Sequence, residues 1–130
     1  MRRTRVLVVD DEPMICEVIR MMLEDKYDVA VAASGLVAKK KLEADAPSFD
    51  VILCDLMMGD LSGIELYRWL RATRPRIASR MAFMTGGAYT PEARQFVDAT
   101  PARFIDKPLT QATLEGAVAG VVAEHGLLEE

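Results

Sequence analysis

Five short apolar runs alternate along this chain with segments whose apolar residues recur at helical spacing. The runs lie at residues 5–9, 28–32, 50–54, 80–84 and 103–105. The first and third contain VLVV and VILC without a polar interruption, as strands buried on both faces do. The alternation therefore predicts an α/β fold, in which helices cover both faces of a doubly wound, five-stranded parallel sheet to make three layers.

Capping signals mark the starts of several helices between these strands. The five helices are predicted to start near Met14, Ser34, Ser62, Thr90 and Thr110, and the first four to end near Leu23, Ala44, Thr73 and Val97. Ser62 and Glu65 have the S-x-x-E pattern of a capping box. Thr90 precedes Pro91, a residue favoured at the first helical position. The last helix should bury one face, formed by Leu114, Ala117, Val118, Val121 and Val122.

Size, charge and cysteine content narrow the class of protein. A chain of 130 residues predicts one domain, and its 51% hydrophobic content disfavours disorder. No apolar run approaches the roughly 20 residues that cross a bilayer, and the run at 6–9 is too short for a signal-peptide core. The net charge of −4 disfavours direct nucleic-acid binding. Cys16 and Cys54 stand far apart in apolar contexts, so we expect buried, reduced thiols in a cytoplasmic protein.

Reactive side chains stand where the predicted strands end. Asp10 and Asp11 follow strand 1, and Asp55 follows strand 3. Thr85 follows strand 4, and Lys107 comes two residues after strand 5. Because ligands of open parallel sheets bind at the carboxyl ends of the strands, these groups should share one site.

A site with three carboxylates needs a cation, because the like charges repel one another. Oxygen ligands of this kind suit Mg²⁺. Lys107 and Thr85 can then bind an anion beside the cation, and a phosphoryl group satisfies all of these partners together. Asp55, by attacking phosphorus, would become an aspartyl phosphate.

Each of these residues also has an ordinary explanation when it is taken alone. Asp10 and Asp11 can cap the following helix and interact with its dipole. Thr85 can be a loop residue and Lys107 a surface lysine, and Asp55 can be the first polar residue of a loop. Their common position at predicted strand ends favours the shared site.

At these residues the chain resembles the receiver domains of two-component response regulators. The resemblance covers about residues 4–123 of a single domain at 1–130, and rests on VLVVDDE at 6–12, LCDLMM around Asp55, FMTGG around Thr85 and FIDKPL around Lys107. Asp11, Asp55, Thr85 and Lys107 are separated by 44, 30 and 22 residues, which suits the family. The resemblance implies a flavodoxin-like (βα)5 sandwich with strand order 2-1-3-4-5.

The resemblance implies a phosphoacceptor and a metal site. Asp55 would accept a phosphoryl group from a histidine kinase or phosphotransfer protein. Asp11 would hold Mg²⁺ directly and Asp10 through water, and Asp55 and the backbone carbonyl of Met57 would be further ligands. The chain would be no enzyme beyond its own phosphorylation and autodephosphorylation.

The remaining implied roles concern the phosphoryl group and the signal. Thr85 and Lys107 would bind the phosphoryl oxygens, and the Lys107–Pro108 peptide bond would be cis. Phe104 stands at the family's aromatic switch position and would turn inward when Thr85 moves towards the phosphoryl group. The face formed by the fourth helix, strand 5 and the fifth helix would then change shape for a downstream output protein or domain, or for a weak homodimer.

The sequence departs from the family pattern at three places. Gly59 stands where the family often has proline, which predicts a looser loop. Phe104 lacks the hydroxyl of the commoner tyrosine, so switching would depend on packing. Gly86 and Gly87 make the loop after Thr85 permissive, and Gly87 has no side chain to obstruct or orient an attacking water. The phrase TGGAYTPEA resembles receivers at the C-terminus of hybrid sensor kinases.

Two other functions stay open on the sequence alone. A small Mg²⁺-dependent phosphohydrolase would also use Asp55 as its nucleophile, although Met57 stands where the haloacid dehalogenase pattern has a second aspartate. A degenerate binding module is disfavoured by the full set of reactive residues. His125, the only histidine, is expected to be an ordinary surface residue.

Overall fold

Five parallel strands form one sheet in the order β2-β1-β3-β4-β5 in the computed structural model, which describes residues 3–87 and 90–125. The strands are β1 (Arg5–Val9), β2 (Asp28–Ala32), β3 (Val51–Asp55), β4 (Met81–Thr85) and β5 (Arg103–Asp106). The order confirms the expected doubly wound sheet. The third and fourth strands lie one residue later than predicted, so Asp55 and Thr85 are the last residues of strands rather than the first residues of loops.

Within residues 3–87 and 90–125, six α-helices connect and flank these strands. They are α1 (Pro13–Leu23), α2 (Gly35–Asp45), α3 (Gly63–Thr73), α4 (Pro75–Ala78), α5 (Pro91–Ala99) and α6 (Gln111–Glu124). The sequence predicted five, and it missed α4 because four residues are too few to show a periodic pattern. The predicted fourth and fifth helices are therefore α5 and α6. Within the described ranges, no helix has the length and apolar character that crossing a membrane requires.

Side-chain caps fix where α3 and α5 begin. The Ser62 hydroxyl accepts from the amide of Glu65 at 3.1 Å, and the Glu65 carboxylate accepts from the amide of Ser62 at 3.0 Å. The predicted capping box at α3 is thereby confirmed. Thr90 likewise accepts from the amide of Ala93 at 3.1 Å to start α5. These caps set the lengths of the loops that follow β3 and β4.

The sheet separates two hydrophobic cores. On one face, Leu7, Ile52 and Phe83 pack with residues of α2, α3 and α5. On the other face, Val8 and Leu53 pack with residues of α1 and α6, including the predicted buried face of α6. All five residues of β3 are buried, and burying each large apolar side chain contributes about 1.5–3 kcal/mol. This packing makes β3 a fixed support for its last residue, Asp55. Cys16 and Cys54 are buried and unpaired, as expected.

Candidate functional site

Three carboxylates meet at the carboxyl edge of the sheet. Asp10 follows β1 directly, Asp11 comes next in the chain, and Asp55 closes β3. Each offers one oxygen, and the three oxygens lie within 4.8 Å of one another. Asp10 is fully buried and Asp55 is 8% exposed, whereas Asp11 is exposed. The structure thus brings together the carboxylates that the sequence placed at strand ends.

Lys107 supplies a positive charge to this cluster. Its Nζ lies 3.5 Å from Oδ2 of Asp55 and 3.8 Å from Oδ2 of Asp10. Its backbone amide donates to the carbonyl oxygen of Thr85 at 2.8 Å, so the residue after β5 is tied to the end of β4. The Lys107–Pro108 peptide bond is cis. The lysine is therefore held by the sheet edge with its ammonium between two aspartates.

Burial is the main cause of the raised pKa values of Asp10 and Asp55. Burial, and then the nearby charge of Asp10, raises the pKa of Asp55 above its ordinary value, while Lys107 lowers it by less. Burial also raises the pKa of Asp10, against the opposing effects of the Glu12 amide and Lys107. The single ammonium of Lys107 therefore does not offset the free-energy cost of burying these two carboxylates and holding their like charges close together.

The donor set fits Mg²⁺. Oδ2 of Asp10 is buried and has no hydrogen-bond partner among the described residues. The Lys107 ammonium, 3.8 Å away, is too distant to donate a hydrogen bond to it, and a buried charged oxygen without a hydrogen bond is costly unless a metal ion or water reaches it. The ligand atoms are all oxygens, which Mg²⁺ prefers. The assignment of the direct contact to Asp11, and of the water-mediated one to Asp10, stays a prediction; the oxygen without a hydrogen bond belongs to Asp10.

Two anchors hold the loop that follows Asp55. The amide of Gly59 donates to Oδ2 of Asp11 at 3.1 Å. The Asp60 carboxylate accepts from the amide of Gly35, at the start of α2, at 3.1 Å. Both bonds oppose the looseness that the sequence predicted from Gly59. The sequence did not indicate Asp60, because its partner lies 25 residues earlier in the chain.

Thr85 ends β4, which pairs with β3, the strand that carries Asp55. It is 3% exposed, and its hydroxyl accepts from the amide of Gly87 at 3.1 Å. Gly87 has a φ of +85°, the left-handed region that glycine tolerates. The expected permissive loop therefore begins with a defined turn on Thr85. Ala88 and Tyr89, which belong to the TGGAYTPEA phrase, lie outside the described residues.

Phe104 lies inside an aromatic cluster. Its ring stacks on Phe83 with centroids 5.5 Å apart, and the edge-to-face contact with Phe96 has centroids 6.3 Å apart. Tyr67 contacts both Phe83 and Phe96. The sequence hypothesis has Phe104 turn inward only on activation, but in this structure the ring is already packed inward and partly buried.

His125 caps the end of α6 and makes a contact that the sequence did not indicate. It is partly buried, and its Nε2 lies 2.9 Å from the carbonyl oxygen of Ser79. Ser79 precedes β4, so this contact belongs to the edge of the sheet opposite the carboxylates. His125 therefore takes no part in the site.

An apolar groove borders the site. Ile15, Val18, Ile19 and Met22 of α1 line it, together with Lys107, Pro108 and Leu109. Val18 is 42% exposed, and Met14 and Met21 of the same helix are 77% and 64% exposed. Because Lys107 belongs to both the groove and the carboxylate cluster, a partner that reaches Asp55 can contact this helix.

Comparison with known proteins identifies relatives of this chain. The sequence profile of the family described as "Response regulator receiver domain" matches residues 6–119. The transcriptional regulatory protein ZraR of Escherichia coli is 32% identical over 119 residues, which cover 88% of this chain and 26% of ZraR. The chain thus spans about a quarter of the length of that relative.

Solved structures have the same fold. A response regulator receiver domain protein from Clostridium thermocellum is 27% identical, with a TM-score of 0.84 and coverage of 97% of this chain and 99% of that one. The receiver domain of the sensor histidine kinase PA1611 from Pseudomonas aeruginosa, solved with a magnesium ion in its active-site cleft, is 24% identical with a TM-score of 0.80. That alignment covers 94% of this chain and 99% of the PA1611 domain, and it shows the fold alone.

Proposed function

This chain belongs to the response regulator receiver family, and we propose that Asp55 is its phosphoacceptor in a Mg²⁺-dependent phosphorelay. The observation that carries the proposal is the convergence on Asp55 of Lys107 and two further carboxylates from separate strand ends. The donor would be a histidine kinase or a phosphotransfer protein. The chain would act in the cytoplasm as a phosphoacceptor rather than as an enzyme on other substrates.

The proposed reaction moves one phosphoryl group between side chains. An oxygen of ionised Asp55 attacks phosphorus, the O–P bond forms, and the N–P bond of the donor phosphohistidine breaks. The electron pair of that bond returns to the imidazole. Lys107 and the Thr85 hydroxyl bind the phosphoryl oxygens. Mg²⁺, when held by Asp10, Asp11, Asp55 and the Met57 carbonyl, would supply positive charge for the same oxygens.

The phosphodonor is proposed to cover the groove beside α1. A donor imidazole must come within bonding distance of Asp55, so the surrounding donor surface must contact the rim of the site. Val18 lines the groove beside Lys107, and Met14 and Met21 expose further apolar side chains on the same helix. Burying such side chains between two proteins contributes to association.

The output is proposed to pass through the α5–β5–α6 face. Thr85 and Lys107 are joined by a backbone hydrogen bond, and β5 carries Phe104. Movement of Thr85 towards a phosphoryl oxygen would shift this strand end and repack the aromatic cluster, since the Phe104 ring is already inside it. The change would be a shift between two packings, read by a downstream protein or domain or by a weak homodimer. The TGGAYTPEA phrase favours a hybrid sensor kinase as the parent protein.

Mass spectrometry after incubation with acetyl phosphate and Mg²⁺ tests the proposal. The wild-type chain should gain a phosphoryl group, and Asp55→Asn should not. Asp25→Asn, at an exposed aspartate in the turn after α1, is the matched control and should be phosphorylated like the wild type. Absence of a mass gain in the wild type, or an equal gain in Asp55→Asn, would defeat the proposal.

A further inference from the structure

Asp60 joins the loop after Asp55 to the first turn of α2. Its carboxylate accepts from the backbone amides of Gly35 at 3.1 Å, Leu36 at 3.4 Å and Leu61 at 2.6 Å. Two of these amides belong to the first turn of α2, where N–H groups have no partner within the helix. The hydrogen bond from Leu61 contributes most to holding the pKa of Asp60 below its ordinary value, and the bonds from Gly35 and Leu36 act in the same direction. The carboxylate of Asp60 therefore caps α2, although β3 lies between them in the chain.

The loop and α2 also meet too closely for a side chain at position 35. A Cβ on Gly35 would collide with the carbonyl oxygen of Leu61. At the end of the same loop, a Cβ on Gly63 would collide with the carbonyl oxygen of Asp55. Because Gly35 packs against Leu61 and Gly63 against Asp55, the loop lies tightly between the end of β3 and the start of α2.

Gly59 provides an anchor on the other side of the loop. Its amide donates to Oδ2 of Asp11 at 3.1 Å. Proline has no N–H, so a chain with proline here could not form this bond. A glycine allows the loop many backbone conformations. The hydrogen bonds of Gly59 to Asp11 and of Asp60 to Gly35 restrict this freedom. The segment between Asp55 and Asp60 is thus tied both to the carboxylate cluster and to α2.

We propose that Asp60 is a positioning residue that holds this segment in the geometry required for binding the cation. The inference rests on the proposed function, in which the backbone carbonyl of Met57 is a ligand. Met57 lies three residues before Asp60, and its amide is 3.5 Å from Oδ1 of Asp55. Asp60 has no place in the carboxylate cluster itself, so it acts through the loop and through α2.

Titration of the whole chain with Mg²⁺, measured by isothermal titration calorimetry, tests this role. Asp60→Ala should weaken Mg²⁺ affinity by about tenfold, the lower end of the effect of removing groups that orient metal ligands. Asp60→Asn should have a smaller effect, because its amide oxygen can replace Oδ1 and still accept from Gly35 and Leu61, although it loses the bond from Leu36 to Oδ2 and the charge. Hydrogen exchange should be faster at the amides of Gly35, Leu36 and Leu61 in Asp60→Ala.

A control variant separates positioning from simple capping. Val122→Ala removes part of a side chain that is 4% exposed in α6, so it lowers stability without touching the loop. It should leave Mg²⁺ affinity unchanged. If Asp60→Ala lowers the free energy of unfolding but keeps wild-type affinity, Asp60 is only a helix cap and the inference is overturned. If the wild type itself binds no Mg²⁺, the proposed cation site fails together with the inference.

Discussion

The ammonium of Lys107 lies 3.5 Å from Oδ2 of Asp55, and each group is held by the end of a different strand. Asp55 closes β3, which is buried along its whole length. Lys107 follows β5 and is bonded through its amide to Thr85. The pairing is therefore built into the sheet, yet the single positive charge of Lys107 stands against the negative charges of three carboxylates.

The first prediction concerns stability without Mg²⁺. Burial and Asp10 raise the pKa of Asp55 in the fold. The folded protein thus holds this proton more tightly than the unfolded chain does, and its stability falls as pH rises from the unfolded pKa through the folded one. Asp55→Asn has no charge to bury, so at pH 7 it should be more stable by on the order of 1 kcal/mol.

Urea unfolding in the presence of a chelator measures this difference. The advantage of Asp55→Asn should shrink as the pH is lowered through the raised pKa, because the wild-type carboxyl then becomes neutral. Asp25→Asn should change stability little at any pH. A wild type that is more stable than Asp55→Asn at pH 7 would mean that the attraction of Lys107 outweighs burial and repulsion.

The second prediction tests the α1 rim as the contact of the phosphodonor. Val18→Glu should slow phosphotransfer from a histidine kinase by at least about tenfold, because it buries a charge in an apolar contact. Phosphorylation by acetyl phosphate should be unchanged, since the small donor needs no such contact. Both rates can be followed by intact-protein mass spectrometry.

Val37 provides the matched control for this experiment. It is 43% exposed on α2, against 42% for Val18 on α1. Val37→Glu should leave both donors unaffected. Equal slowing by the two variants, or slowing with acetyl phosphate as well, would argue against a specific contact at α1.

The site was predictable from the sequence where its residues follow buried strands. Apolar runs locate the strands, and the polar residues that end them must then meet at one edge of a parallel sheet. Asp10, Asp55 and Lys107 were found in this way. The one-residue displacement of β3 and β4 did not alter this result, because Asp55 and Thr85 remain at the strand ends.

Contacts between distant segments could not be found in the same way. The bond from Gly35 to Asp60 joins residues 25 apart, and no local pattern indicates it. The aromatic cluster likewise gathers Phe83, Phe96 and Phe104 from three elements, so the inward position of Phe104 depends on packing that only the fold reveals.

The third prediction follows from the link between Thr85 and β5. Beryllofluoride with Mg²⁺, a mimic of the phosphoryl group, should shift amide signals in residues 85–105 of the wild type. Thr85→Ala should remove the shifts near Phe104 and keep those at 55–60, because it deletes the hydroxyl that would bind the anion from β4. Thr73→Ala, at the end of α3, should behave as the wild type. Wild-type shifts confined to 55–60 would exclude this route for the signal.

The last prediction compares the two glycines after Thr85. Gly87 has a φ of +85°, whereas the backbone of Gly86 is not in the positive-φ region, and a Cβ at either position would meet nothing within 4 Å. Gly87→Ala should therefore lower the free energy of unfolding by about 1–2 kcal/mol, the cost of a left-handed conformation for a residue with a Cβ. Gly86→Ala should be neutral or more stable by a few tenths of a kcal/mol, since alanine restricts the unfolded chain. Urea denaturation of both variants measures the contrast. Equal effects of the two substitutions would show that the turn closed by the Gly87–Thr85 hydrogen bond does not require glycine.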